Sequence, residues 1–85
     1  MKHATPAALD LIEPLLQRVR DLGGLKEKSR GVFCRGSSAF LHFHEDPAGM
    51  FADLRADGDW ARYPVNRASE QTSLVRAIKA SLGAR

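Results

Sequence analysis

The chain has 85 residues, 44% hydrophobic and 27% charged, with thirteen Lys or Arg against ten Asp or Glu for a net charge of +3. That length suits one domain near the lower end of what a single core supports, and the apolar share is too high for a disordered segment. No apolar run can span a membrane, acids interrupt MKHATPAALDLIEP where a signal peptide needs an unbroken apolar stretch, and the lone Cys34 excludes an internal disulfide or a cysteine-rich zinc site. A cytoplasmic location is the expectation.

Thr5-Pro6 offers an N-cap followed by proline at the first helical position. Leu9, Ile12, Leu16 and Val19 form an apolar stripe, widened by Leu11, Leu15 and Leu22, with Asp10, Glu13, Gln17 and Arg20 opposite. The spacing predicts a helix over about 6–22, with Pro14 either kinking it or opening a new helix in its first turn. Gly23-Gly24 stops it, and LKEKSR reads as a polar connection. Six bases fall here (Arg18, Arg20, Lys26, Lys28, Arg30, Arg35), opposed by Asp21 and Glu27. A solvated helix end is the plain reading of that stretch, and a polyanion patch the sharper one.

Four short segments follow, over about 31–35, 38–45, 49–56 and 59–65, separated by Gly36-Ser37, Asp46-Pro47-Ala48-Gly49 and Asp57-Gly58. A last helix over about 70–82 has Ser69 as cap, Glu70 in its first turn, a Leu74, Val75, Ile78, Leu82 stripe and Gly83 as stop. The expected fold is a single α+β domain, residues 1–85, in two layers. A four-stranded antiparallel meander carries the N- and C-terminal helices on one face, in the order α-β-β-β-β-α.

Two-residue loops pair Cys34 with Ala39, Phe33 with Phe40 and Val32 with Leu41. They also pair Arg55 with Trp60 and Asp53 with Arg62. An even middle loop pairs Phe43 with Ala52 and His42 with Asp53, whereas a one-residue slip there mixes apolar with charged residues. One face then collects Val32, Cys34, Ala39, Leu41, Phe43, Met50, Ala52, Leu54, Ala61, Tyr63 and Val65 as the core. The other collects Phe33, Arg35, Phe40, His42, His44, Phe51, Asp53, Arg55, Trp60 and Arg62.

Histidines two apart on a strand share a side, so His42 and His44 are candidate metal ligands, with Asp53 as a third. No fourth ligand is evident, and the sequence assigns neither metal nor other cofactor. Cys34 is expected to point into the core, which separates it from the histidines and argues against a Cys–His nucleophile. Four aromatics on the outer face exceed what a monomer leaves in water. The expected function is therefore a small binding or interaction protein, more a binder than an enzyme. It works through Phe33, Phe40, His42, His44, Phe51, Asp53, Arg55, Trp60 and Arg62, and pairs with a second copy. The alternative is a metal-dependent enzyme centred on His42, His44 and Asp53. A single-stranded nucleic-acid binder comes third, disfavoured by Asp53 and the small net charge.

The run GVFCRGSSAFLHFHEDPAGMFADLRADGDWARYPVN resembles a family of small uncharacterised bacterial α+β proteins. In that pattern a strand like AFLHFHED precedes a turn, FADLR and a G-x-W segment. The resemblance covers roughly residues 31–82 and implies no activity or catalytic residue. The helix–strands–helix order is also similar to the frataxin architecture, where acids on and near the first helix bind iron. Here Asp10, Glu13 and Asp21 are scattered among arginines, and the iron function does not carry over.

Overall fold

The computed structural model describes residues 2–83. Its elements are β1 (Lys2–His3), α1 (Pro6–Leu11), α2 (Glu13–Leu22), β2 (Lys26–Ser29), β3 (Val32–Arg35), β4 (Ser38–Asp46), β5 (Gly49–Ala56), β6 (Asp59–Pro64) and α3 (Ala68–Gly83). All strand pairings are antiparallel and the sheet order is β2-β3-β4-β5-β6, with β1 beside β4. The α+β class and the antiparallel sheet are present, but the sheet has six strands, not four.

The two unforeseen strands carry no apolar alternation. β2 is KEKS, an edge strand that takes charged side chains as edges commonly do. Its Glu27 faces the helices and is held by charge instead of apolar packing. Both carboxylate oxygens accept from Arg20, at 2.6 and 3.0 Å, and one also accepts the Gly31 N–H at 3.0 Å. β1 is two residues long and lies along the part of β4 beyond its pairing with β3, with His3 opposite His44.

Thr5 caps α1 through its hydroxyl, which accepts the Ala8 N–H at 3.3 Å, and Pro6 follows. The helix stops at Leu11 and a second starts at Glu13, with Pro14 in its first turn. Pro14 thus restarts a helix and does not kink one. α3 begins ahead of Ser69, so Ser69 is not its cap. Glu70 does that work, accepting the N–H groups of Asn66 and Arg67 at 2.9 and 3.0 Å.

β4, β5 and β6 pair in the expected register, including His42 with Asp53 and Arg55 with Trp60. β3 does not. Phe33 pairs with Leu41 while Cys34 pairs with Ala39, so Phe40 is an extra residue on β4. This bulge turns β3 over. Phe33 and Phe40, expected outside, are buried at 1% and 4% exposure. Val32 and Cys34, expected in the core, go to the other face and are only half-buried. Arg35 swings to the helix side and donates to the Ser81 carbonyl of α3 at 3.2 Å. The regular register would leave two phenyl rings in water, and burying such a ring is worth about 1.5–3 kcal/mol, so the bulge wins.

The core lies between this sheet face and the helices, with Leu15, Leu16, Val19, Leu41, Leu54, Leu74 and Ile78 at 0–1% exposure. On the free edge strand β6 the expected core residues are only partly right: Tyr63 is half-buried and Ala61 is exposed. Of the six clustered bases, Arg20 pairs with Glu13 and Glu27, Arg30 with Asp10 and Glu13, Arg18 donates to Thr72, and Arg35 to Ser81. Two of the six, Arg20 and Arg30, are therefore charge-paired within the fold, while Arg18 and Arg35 meet only neutral acceptors, so the stretch keeps part of its positive charge.

Glu27 is held below its ordinary 4.5 chiefly by hydrogen bonds from Arg20, against its burial. A carboxylate depressed in the folded state stabilises above its unfolded value and loses that contribution as pH falls through the folded one. Thermal melts are therefore expected to show stability falling below about pH 4.5. Glu27→Gln should be less stable near neutral pH and lose less on acidification, because its acid-labile contribution is already gone. An unchanged acid slope in the variant would move the effect to other carboxylates.

Candidate functional site

Helices cover one face of the sheet, and the chemistry-bearing side chains gather on the other. Alternation along β4 sends Leu41 and Phe43 into the core and His42 and His44 outward. His3 is brought beside them by the β1–β4 pairing. The three imidazole centroids form a triangle with sides of 5.1 Å (His3–His44), 5.9 Å (His3–His42) and 6.2 Å (His42–His44). Trp60 borders it, with its ring centroid 5.1 Å from that of His42 and the Arg55 guanidinium 5.9 Å from its ring on the same strand pair.

Asp53 anchors the other side. Arg62 donates to both of its oxygens, at 2.7 and 2.9 Å, and His44 Nε2 lies 3.1 Å from Oδ2. The direct cross-strand neighbour, His42, does not take this place; the diagonal His44 does, while His42 packs against Trp60. Arg62, and after it burial's opposing effect, sets Asp53: its carboxyl is held below the usual carboxylate range. Burial first, then the charges of His3 and His44, lower the His42 imidazole below its ordinary 6.5. The neutral ring, with a free lone pair, is the favoured form.

The expected site residues thus divide. His42, His44, Phe51, Asp53, Arg55, Trp60 and Arg62 lie on the free face, with Phe51 half-buried opposite His44. Phe33 and Phe40 do not; they are core residues. His3 belongs to the cluster and escaped notice because a two-residue strand has no periodicity to read. Cys34, now on the histidine side of β3, no longer has the sheet between it and His42, which removes the reason the sequence suggested against a Cys–His pair. In the conformation present, no three His, Cys, Asp or Glu side chains among the described residues converge as metal ligands.

A groove of about 790 Å³ opens on the helix side between α3 and the strand ends. Its arginines are already engaged, Arg35 with Ser81 and Arg55 with Trp60. The histidine face brings more chemistry-bearing side chains together. No helix in the described chain is long and apolar enough to cross a membrane. Compared with family models, curated proteins and solved structures, the chain matches none.

Proposed function

We propose that this chain is a small binding module that works through its helix-free sheet face and pairs there with a second copy. The observation that carries the reading is Trp60. It is 46% exposed, yet it is held between His42 and Arg55 on a face that no helix covers. A large ring already ordered by its neighbours loses little freedom on binding, which is why Trp and Arg dominate interface energies. Leu11, the other large exposed apolar side chain among the described residues, stands at the end of α1, away from this constellation.

A second copy suits the face because it presents both cations and the groups that receive them. Arg55 and Arg62 stand beside Trp60 and Asp53, so a two-fold axis brings guanidinium to ring or carboxylate across the interface. The contact is small. Five strands ~4.8 Å apart and roughly six residues long give about 400–500 Å² per copy, near half of a standard stable interface. The pairing is therefore weak and belongs at tens of micromolar protein or above. Nucleic-acid binding is the poorer reading, since Phe33 and Phe40 are withdrawn from the stacking surface and Asp53 stands on the face that remains.

Sedimentation at ~50–200 µM tests this, a range chosen for so small an interface. The wild type is expected to show a monomer–dimer equilibrium, and Trp60→Ala to shift it to monomer with unchanged far-ultraviolet circular dichroism. A dimer that survives Trp60→Ala points instead to the edge of β6. It lacks the bulge and lysines of the short β2 edge and exposes Ala61 and part of Tyr63, with Asp59, Arg62 and Pro64 to blunt it. A wild type that stays monomeric refutes self-association outright.

A further inference from the structure

We propose that His3, His42 and His44 form a binding site for a divalent transition-metal ion of the zinc type, with Asp53 orienting His44 from behind. The inference rests on the helix-free face being the working surface, and it names an ion that face takes. Three imidazoles on one tetrahedral zinc, with Zn–N at about 2.0–2.1 Å, place their ring centroids about 5.2 Å apart. His3 and His44 already stand at 5.1 Å. The His3–His42 and His42–His44 separations, 5.9 and 6.2 Å, exceed that spacing by only about 0.7 and 1.0 Å. Both longer separations involve His42, and rotation of its partly exposed ring about the side-chain bonds covers such a difference. The side chains do not converge in the present conformation, so the site closes on the ion and is not preformed.

The polar contacts fit the same assignment. His44 Nε2 faces Asp53 at 3.1 Å, which leaves Nδ1 for the metal and reproduces the carboxylate–histidine–metal arrangement. Among the described residues the ring nitrogens of His3 and His42 make no hydrogen bond, so their lone pairs are uncommitted. Asp53 is not itself a ligand, because Arg62 holds both its oxygens. Three protein ligands on an open face leave a fourth position to water or to a donor from outside, as borderline ions such as zinc accept.

The chain supplies its own reporter. Trp60 is its one tryptophan and lies 5.1 Å from His42, so bound Co²⁺ quenches its fluorescence and Zn²⁺ does not. Co²⁺ is titrated into the full chain, carrying no oligohistidine tag, and visible absorption and Trp60 fluorescence are followed. The expected result is one Co²⁺ per chain, visible bands and quenching, both reversed by Zn²⁺. His3→Ala and His42→Ala should each weaken binding at least about tenfold, and Asp53→Asn about 10–100-fold. His3 is exposed at the start of the chain, so its replacement leaves the core untouched. Absence of bands and quenching at millimolar Co²⁺, or wild-type affinity in His3→Ala, overturns the site. Sedimentation of metal-free protein separates the two proposals: a Trp60-dependent dimer that takes no Co²⁺ overturns the metal site alone and leaves the pairing in place.

Discussion

Phe33→Ala is expected to cost about 3–5 kcal/mol, while Val32→Ala next to it costs under about 1 kcal/mol. Phe33 is 1% exposed and pairs with Leu41 beneath the helices; Val32 is half-buried on the opposite face, paired with His42. A chain of this length has about 4–13 kcal/mol of stability in total. Losing the phenyl ring should therefore lower the melting temperature by more than about 10 °C. The ranking tests the bulge directly, because a regular β3–β4 hairpin puts Val32 inside and Phe33 in solvent. Thermal melts of the two variants that came out level, or in reverse order, would remove the bulge from Phe40.

Gly31→Ala is expected to cost about 2–5 kcal/mol, the second-largest effect, from two separate causes. Gly31 joins β2 to β3 with φ +80°, where a side chain costs about 1–2 kcal/mol. A Cβ there also meets the Leu9 Cδ2 atom at 2.8 Å, and Leu9 is itself buried in the core, so overpacking adds about 1–3 kcal/mol. Gly36, in the β3–β4 turn, isolates the first cause. Its φ is +62° and nothing lies within 4 Å of an added Cβ, so Gly36→Ala should cost only about 1–2 kcal/mol. Urea unfolding of both variants measures the difference, and equal losses would show that Leu9 yields freely to the new methyl.

Much of the fold can be read from the chain because its signals are local. The Leu9, Ile12, Leu16, Val19 stripe and Leu74, Val75 and Ile78 of the last stripe repeat at the helical period and are buried as read. Leu22 and Leu82 are only half-buried, and Leu11, read as widening the first stripe, is 79% exposed at the end of α1. Asp57-Gly58 dictates its own hairpin: Asp57 and Gly58 both take positive φ, at 53° and 84°, and the β5–β6 register follows from that turn. The free-face placement of His42, His44, Asp53 and Trp60 then follows from alternation alone. β2 stayed hidden because KEKS is held by pairing with β3 and by the Arg20–Glu27 contact, neither of which leaves a pattern in four residues.

By itself, then, the sequence determined the helix stripes, the central hairpin registers and the side on which two histidines stand. Those depend on residues a few positions apart, or on turn chemistry. The tertiary structure decided which way β3 faces and whether a third histidine joins the other two. A bulge at Phe40 is chosen by competition between whole faces for two phenyl rings, a comparison no local window contains. His3 reaches His44 through one pairing that spans about forty residues of chain. It is fixed there by the Ala4 N–H on the Phe43 carbonyl and the Thr5 N–H on the Glu45 carboxylate, contacts that exist only once the sheet has formed.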